Sequence, residues 1–382
     1  MSSHGVVTNS PVLVLGSQPT HDDTGAQEFV AVDIYVTTWA RKLAETVMDL
    51  TFCFIISLVG VVANFLIIMV FAKQKFKDSV AVSMTAIAAW DFVKCLGCAL
   101  QRLSGPISLC DPAQAESWAN ISVVVFTYYS CFATYVSIVL AAYVAVERCL
   151  CVSMPFKAKW LITPKGSFVI CSVISVIVFG WFSVMFCIYE IKWVHSQHYN
   201  QNIAIYATND FFHQHKQPVF LFYNLSGIIL PVVCFMIIVA STCIIFYHLR
   251  KSSHFRAGSV QHSEKQSQNR ISNRDRQVVK MLLVVISVYV ICLTPRITHY
   301  LAKYFVYDFY FLRRLHNLFM IMAFVVITLD LINASINLFI FLPMSSSFRA
   351  TFLEILPLCN RLFPGSNLVP PAERPSQRAK IG

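Results

Sequence analysis

The chain has 382 residues, of which 57% are hydrophobic and 13% are charged, and its formal net charge is +11. Soluble domains are about 45–50% apolar and about 25% charged, so this composition excludes an ordinary soluble protein and a disordered chain. The 13 Cys residues lie mostly inside apolar segments and do not form the framework of a secreted disulfide-rich domain. The composition is that of a protein with several membrane-spanning segments.

Seven apolar stretches are long enough to cross a bilayer as helices, which takes about 20 residues. They cover residues 47–71, 80–103, 122–145, 168–191, 219–247, 278–300 and 315–342. None shows the alternation of a barrel strand, so we predict an all-α membrane protein with a bundle of seven transmembrane helices. The predicted bundle spans residues 46–343, after an extracellular tail at 1–45.

A short amphipathic helix is predicted at residues 344–360, beside the membrane. Phe348, Phe352, Ile355 and Leu356 recur there at the spacing of one helical face. Cys359 is a candidate for palmitoylation, and the Pro-rich residues 361–382 are predicted to form a disordered cytoplasmic tail.

The charges sort by side of the membrane. With the N-terminus outside, the inner loops and helix ends hold 20 Lys/Arg and 6 Asp/Glu, whereas the outer ones hold 8 Lys/Arg and 11 Asp/Glu. This is the positive-inside pattern, so the net charge does not indicate nucleic-acid binding. It places the C-terminus in the cytosol.

Polar residues inside spans are costly in lipid and suggest function. Asn64 lies in span one, Asp91 in span two, and Asn333 and Asn337 lie in span seven. Contacts between packed helices would explain a single Asn. Four such residues together favour a shared buried polar site.

The end of span three carries adjacent opposite charges, Glu147 and Arg148. Such an Arg could simply anchor the helix at the membrane surface. An acidic neighbour can instead hold it in one state and release it in another. Asp275, at the start of span six, is a second candidate partner.

In these and further motifs the chain resembles the rhodopsin-like G-protein-coupled receptors over residues 46–356. Each motif is weak alone, but their order across seven spans is specific. The matching residues are Asn64, Asp91, Glu147-Arg148-Cys149, Pro231, Cys292-Leu293-Thr294-Pro295, and the run Asn333-Ala334-Ser335-Ile336-Asn337-Leu338-Phe339-Ile340-Phe341. Among these receptors the chain looks most like invertebrate peptide or chemosensory receptors.

The resemblance implies a plasma-membrane receptor rather than an enzyme. Arg148 would be held at rest by Glu147 and Asp275, and helix six would swing outward about Pro295 to let Arg148 contact a heterotrimeric G protein. The resemblance also implies a buried site for a sodium ion at Asn64, Asp91, Asn333 and Asn337, and a receptor kinase and arrestin as further partners. Asn337 and Phe341 would belong to the helix-seven part of the switch.

The departures from the family pattern affect the switch and the disulfide. Leu338 and Phe341 replace the proline and tyrosine of helix seven, and Val123 stands where the helix-three cysteine is usual. The usual disulfide is therefore not expected, and Cys110 and Cys187 are the remaining candidate pair. Separately, Asn120 begins a glycosylation sequon close to the membrane.

The ligand class can be narrowed by what the resemblance requires. Leu331 stands where a retinal-binding lysine would be, and Ser130 where an amine-binding aspartate would be. Lys94 and Asp330 are expected to pair, which would leave Arg102 and Arg296 as donors for a carboxylate. We therefore expect a peptide or a carboxylate-bearing small molecule. The predicted ligand-binding residues are Arg102, Tyr128, Ser130, Cys131, Thr134, Arg296, Tyr300, Ile327 and Asp330.

Two other classes of function fit the sequence less well. A membrane transporter of a small polar or acidic solute would show repeated halves and interrupted helices, which the sequence does not show. An intramembrane hydrolase would need clustered His or acidic residues, and the spans contain almost no His. The loop residues His195 and His198 are more typical of solvated histidines than of a metal site, so no metal is expected.

Overall fold

The structure is a computed structural model that describes residues 34–257, 265–310 and 313–357. Within these ranges it does not describe the side chains of residues 155, 159, 220, 249–257 and 265–282. Cys359, the predicted cytoplasmic tail (361–382) and residues 1–33 of the predicted extracellular tail (1–45) therefore lie outside the described residues, as does the side chain of Asp275. Residues 38–45 of that predicted tail are helical and begin the first helix.

The described residues contain seven helices long and apolar enough to cross a membrane, as predicted. Their bounds are α1 Thr38–Lys73, α2 Ser79–Ser108, α3 Pro112–Ser153, α4 Pro164–Cys187, α5 Asp210–Ala257, α6 Lys265–Phe305 and α7 His316–Met344. A short helix, Pro155–Leu161, precedes α4, and α8 (Ser346–Ile355) follows α7.

Local sequence sets where several helices begin. The side-chain oxygens of Asp78, Asp111, Thr163 and Ser345 accept hydrogen bonds from backbone N–H groups in the first turns of α2, α3, α4 and α8. These N–H groups have no partner inside the helix, so a capping oxygen stabilises each start.

The helices close into a ring around α3. Neighbours in sequence pack together from α1 to α4 and again from α5 to α7, while α7 packs on α1 and α3 packs on α5. α3 is the most buried of the seven helices and α4 is the least buried. Side chains of α3 therefore reach the centre of the bundle from end to end.

Two helices contain a wider turn of the π type. One covers Glu45–Cys53 in α1 and the other covers Val123–Thr127 in α3. Such turns interrupt the regular hydrogen bonding and change which residues face inward, and they are frequent at functional sites. Both lie in the half of the bundle that carries the connection between α4 and α5.

The connection between α4 and α5 is a β-hairpin that the sequence reasoning missed. Strands β1 (Tyr189–Ser196) and β2 (Gln201–Thr208) pair antiparallel, with Asn200 in the turn at φ 51°. Span four was predicted to continue to residue 191, but the helix ends at Cys187 because the apolar residues beyond it belong to β1. The end of the bundle with this hairpin is called the hairpin face below, and the opposite end is the Arg148 face.

At the Arg148 face, α8 is anchored by three phenylalanines. The rings of Phe71, Phe341 and Phe348 lie 5.4–6.0 Å apart in edge-on arrangements and come from α1, α7 and α8. Phe348 and Phe352 of α8 are buried, in agreement with the predicted amphipathic face, although the helix ends at Ile355 rather than at 360. Phe341, at the position of the usual tyrosine, thus packs as a core residue.

Replacing Phe348 with alanine is expected to remove this anchor and lower the stability of the protein by about 3–5 kcal/mol, since a buried ring leaves a cavity. Phe339→Ala is the matched control, because Phe339 lies on α7 but is 57% exposed. Thermal unfolding of the purified protein, with hydrogen exchange of the α8 amides, measures both variants. Equal losses from the two substitutions would contradict the anchoring role.

Candidate functional site

Arg102 at the hairpin end of α2 is buried and bound to α1. Its Nε donates to the carbonyl oxygen of Asp49 at 2.9 Å, its Nη1 donates to the carbonyl oxygen of Cys98 at 3.1 Å, and its Nη2 pairs with the Asp49 carboxylate. Asp49 lies in the π turn of α1. The prediction that Arg102 is a free donor for a ligand is therefore wrong, because its donors are used to join α2 to α1.

Lys94 has a different partner from the one predicted. Its Nζ lies 3.1 Å from Oδ1 of Asp91, and both side chains are almost completely buried. Ser137 of α3 donates to the same oxygen at 3.0 Å. The expected pair of Lys94 with Asp330 does not form, since Asp91 is one turn away on the same face of α2.

Asp330 of α7 instead pairs with Arg296 of α6. The Nε of Arg296 donates to Oδ1 of Asp330 at 3.3 Å, and its Nη2 contacts Oδ2. Both groups are mostly buried. Arg296, directly after Pro295, therefore joins α6 to α7, and the prediction that it is a free cation is also wrong.

A cavity of about 60 Å³ lies among these three ion pairs. Seven of the nine predicted ligand-binding residues line it, together with Asp49, Lys94 and Thr127. The seven are Arg102, Ser130, Cys131, Thr134, Arg296, Ile327 and Asp330. The structure thus brings most of the predicted set together, but around neutralised charges.

Two smaller cavities share lining residues with this one. A cavity of about 50 Å³ on the side of Tyr300 shares Arg296 and Ile327 with it. A cavity of about 10 Å³, the size of one water molecule, shares Lys94, Thr134 and Asp330 with it and is also lined by Asn333. The three cavities form a series along the interior of the bundle.

The hairpin is fastened to α3 beside this series. The hydroxyls of Tyr128 and Tyr189 lie 2.9 Å apart, and their rings stack. Burial raises the pKa of Tyr189 to about 12, so its phenol is neutral, and either hydroxyl can donate in this hydrogen bond. Tyr128, predicted to contact a ligand, is 1% exposed and forms part of the hairpin contact instead.

The four residues predicted to form a buried polar site are all buried, but their hydrogen bonds go to other residues, and one side-chain oxygen each of Asn64, Asp91 and Asn333 has no hydrogen-bond partner among the described residues. The amide of Asn64 donates to the carbonyl oxygens of Gly60 and Ala334, which joins α1 to α7. Asn333 lines the smallest cavity, and Asn337 is 5% exposed. Because the ammonium of Lys94 already neutralises Asp91, the implied sodium site is not supported at this carboxylate.

The Glu147 and Arg148 pair forms at the opposite end of the bundle. Nη2 of Arg148 lies 2.7 Å from Oε1 of Glu147 and donates to the hydroxyl of Ser79 at 3.1 Å. Ser83 donates to the other oxygen of Glu147 at 3.0 Å. Two serines on α2 therefore hold this pair, which we call the latch (Ser79, Ser83, Glu147 and Arg148).

Two predicted modifications do not fit the structure. Cys110 and Cys187 are both free, exposed thiols; Cys110 follows the end of α2, whereas Cys187 ends α4 beside the hairpin, so the chain does not bring them into a bridge. Asn120 is buried, and its amide donates to the carbonyl oxygen of Ala204 at 3.0 Å. A side chain with this internal role is not accessible for glycosylation.

The sequence reasoning missed Asp49, Ser79 and Ser83. Asp49 had a usable signal, since it is an acid close to the start of an apolar span and Arg102 is a cation at the matching depth of the next span. The two serines had none, because serine is common at helix starts and within spans. No cluster of His, Cys, Asp or Glu suited to a metal ion occurs within the described ranges.

Sodium is expected to leave the thermal stability of the wild-type protein unchanged when it replaces choline at constant ionic strength, because Lys94 supplies the cation at Asp91. Lys94→Gln leaves a buried carboxylate without its cation, so sodium should stabilise this variant by roughly 1–2 kcal/mol, a few degrees. Lys73→Gln is the control, because Lys73 pairs with Glu354 at an exposed position. An equal sodium effect in the wild type would contradict the assignment.

A family match supports the seven-helix fold. No individual curated protein is similar enough to the chain to match it. Residues 51–359 match the family described as "Serpentine type 7TM GPCR chemoreceptor Srw". This match covers α1 from residue 51, the other six spanning helices and α8. It confirms the resemblance to a G-protein-coupled receptor of the chemosensory kind, which is a receptor class rather than an enzyme class. The chain is a multi-pass membrane protein and belongs to the Srw family of serpentine seven-transmembrane chemoreceptors.

Proposed function

We propose that this chemoreceptor lies in the plasma membrane, with its N-terminus and hairpin outside the cell and its C-terminus in the cytosol. It binds an extracellular ligand, a peptide or a carboxylate-bearing small molecule, and activates a heterotrimeric G protein through Arg148. The latch at the end of α3 is the observation that carries this proposal.

The latch supports a resting state. Arg148 is 8% exposed and Glu147 is 2% exposed, so the guanidinium is held inside the bundle rather than presented to a partner. Each contact can be broken without unfolding a helix, because both serines and Glu147 contribute only side chains. A buried Arg that a conformational change can release is a physical switch.

Helix α6 supplies the movement in this proposal. Pro295 interrupts the hydrogen bonding of α6 and favours bending there. Arg296, the next residue, fixes α6 to α7 through Asp330. A ligand that weakens this pair from the hairpin face would let the far end of α6 move outward, so that Arg148 could meet the G protein.

The orientation rests on charge. The basic excess falls on the loops of the Arg148 face, which is where the positive-inside rule places the cytosol. The Ser-rich and basic residues 251–276, which include the end of α5 and the start of α6, then face the cytosol, where a receptor kinase and arrestin would act on them. No observation favours transport over signalling.

Arg148→Ala is expected to reduce ligand-stimulated nucleotide exchange on Gα subunits to background at normal surface expression. Ser83→Ala should raise ligand-independent exchange by about tenfold, because it removes a hydrogen bond worth roughly 1.5 kcal/mol to the carboxylate that holds Arg148. Both are measured as GTP-analogue binding in membranes, with surface biotinylation as the expression check.

Ser153→Ala is the matched control for the second variant. Ser153 also lies at the Arg148 end of α3, but its hydroxyl donates to the carbonyl oxygen of Cys149 and does not contact the latch. Full signalling by Arg148→Ala, or equal basal exchange in Ser83→Ala and Ser153→Ala, would contradict the proposed switch.

A further inference from the structure

The ammonium of Lys303 stands among tyrosine rings near the hairpin end of α6. Its Nζ lies 5.9 Å from the ring centre of Tyr223, 5.4 Å from that of Tyr300 and 5.2 Å from that of Tyr310. The rings come from α5, α6 and the connection before α7. Their faces attract a cation and fix its position, but they carry no negative charge that could neutralise it.

Lys303 differs in this respect from the deeper cations of the bundle. Lys94, Arg102 and Arg296 are each paired with a carboxylate. Across the described residues, no carboxylate oxygen lies within 4 Å of the ammonium of Lys303. Lys303 is partly buried, and a partly buried cation without a counter-charge attracts an anion more strongly than one in bulk water.

The space beside this ammonium suits a small acidic group. Lys303, Tyr300 and Tyr310 line the cavity of about 50 Å³, which is large enough for a carboxylate with a few attached atoms. It shares Arg296 with the central cavity. The hydroxyl of Tyr300 lies 3.2 Å from that of Tyr135, and the hydroxyl of Tyr223 lies 3.8 Å from Sγ of Cys131, so contacts within the bundle hold these two rings in place.

A second cation lies beside Tyr310. The guanidinium of Arg313 stacks 3.8 Å from the ring centre of Tyr307 and 5.3 Å from that of Tyr310, the same ring that faces Lys303. Two cations near one ring raise the local concentration of anions and repel amines. Lys303 and Arg313 therefore favour the same sign of charge in a ligand.

We infer that Lys303 binds the carboxylate of the ligand, with Tyr300 and Tyr310 shaping the pocket around it. This inference rests on the proposed function and gives it a ligand class. Lys303, which was not among the predicted ligand-binding residues, thus replaces Arg102 and Arg296 as the acid-binding residue, because carboxylates of the protein neutralise those two. The carboxylate can belong to a small organic acid or to the C-terminus of a peptide.

The test uses the purified full-length receptor and small acids of known charge. Acetate, butyrate, benzoate and succinate are compared with acetamide, butyramide, benzamide and succinamide by thermal unfolding at constant ionic strength. At least one acid should raise the unfolding temperature while its amide does not. Lys303→Met should lower the affinity for that acid by about 10- to 100-fold, the usual range for losing a charge-assisted hydrogen bond. Lys303→Arg should retain part of the affinity.

Lys192→Met is the matched control. Lys192 is on the same face, but its ammonium is exposed and lies 2.7 Å from a carboxylate oxygen of Glu190. Peptides made with a free C-terminal carboxylate and with an amide separate the two sources of the acid. No effect of any acid on the wild type, or an equal effect on wild type and Lys303→Met, would overturn the inference.

The acidic residues of the N-terminal tail offer an internal occupant. Asp22, Asp23, Glu28 and Asp33 lie outside the described residues. If acids raise the unfolding temperature only after these four residues are changed to Asn or Gln in the full chain, the tail is the partner of Lys303. The inference of an external acid is then overturned.

The unfolding measurement needs no G protein, so its result is independent of the proposed function. If a ligand drives nucleotide exchange equally well in wild type and Lys303→Met, the receptor function is supported and the acid site at Lys303 is contradicted. If acid binding depends on Lys303 but the protein never drives exchange, the acid site is supported and the proposed receptor mechanism is contradicted.

Discussion

The need to neutralise charges buried between membrane-spanning helices is the constraint on which this structure depends. Removing one partner of a buried pair costs about 3–5 kcal/mol, and lipid offers no water to replace it. Most interior cations therefore form an ion pair with a carboxylate or a hydrogen bond with a hydroxyl of a neighbouring helix. The contacts are Asp49 with Arg102 between α1 and α2, Asp91 with Lys94 within α2, Arg296 with Asp330 between α6 and α7, and the latch between α2 and α3.

These pairs explain why the cavity that they surround is small. The space beside Arg102 and Arg296 is about 60 Å³ because the side chains that would bind a ligand are bound to each other. Lys303 lies seven residues after Arg296, which is two turns or about 10 Å along α6. An acid bound at Lys303 therefore acts on the same helix that Arg296 fixes to α7, and it changes the electrostatic balance of that pair. We expect ligand binding and movement of α6 to be coupled through this stretch.

The sequence predicted the features that depend on composition and on position along one helix. Apolar length identified all seven spans, and the adjacent charges at Glu147 and Arg148 identified the latch without its serines. Partners on different helices could not be predicted, because the rotation and depth of one helix against another follow from packing. The pair of Arg296 with Asp330 is such a case. The pair of Asp91 with Lys94 could have been predicted, because residues three apart on a helix are neighbours. The hairpin was missed because its tyrosine, isoleucine and tryptophan residues extend an apolar run, although residues of these types are also typical of strands.

The most direct test of the account is the ligand-independent nucleotide exchange of variants in the pair between α6 and α7. Arg296→Gln and Asp330→Asn should each raise basal exchange, since either leaves α6 less firmly bound to α7. The exchanged pair, Arg296→Asp with Asp330→Arg, should return basal exchange toward the wild-type level. Folded single variants with wild-type basal exchange, or an exchanged pair no better than the sum of the single variants, would contradict the claim that this ion pair holds the receptor at rest.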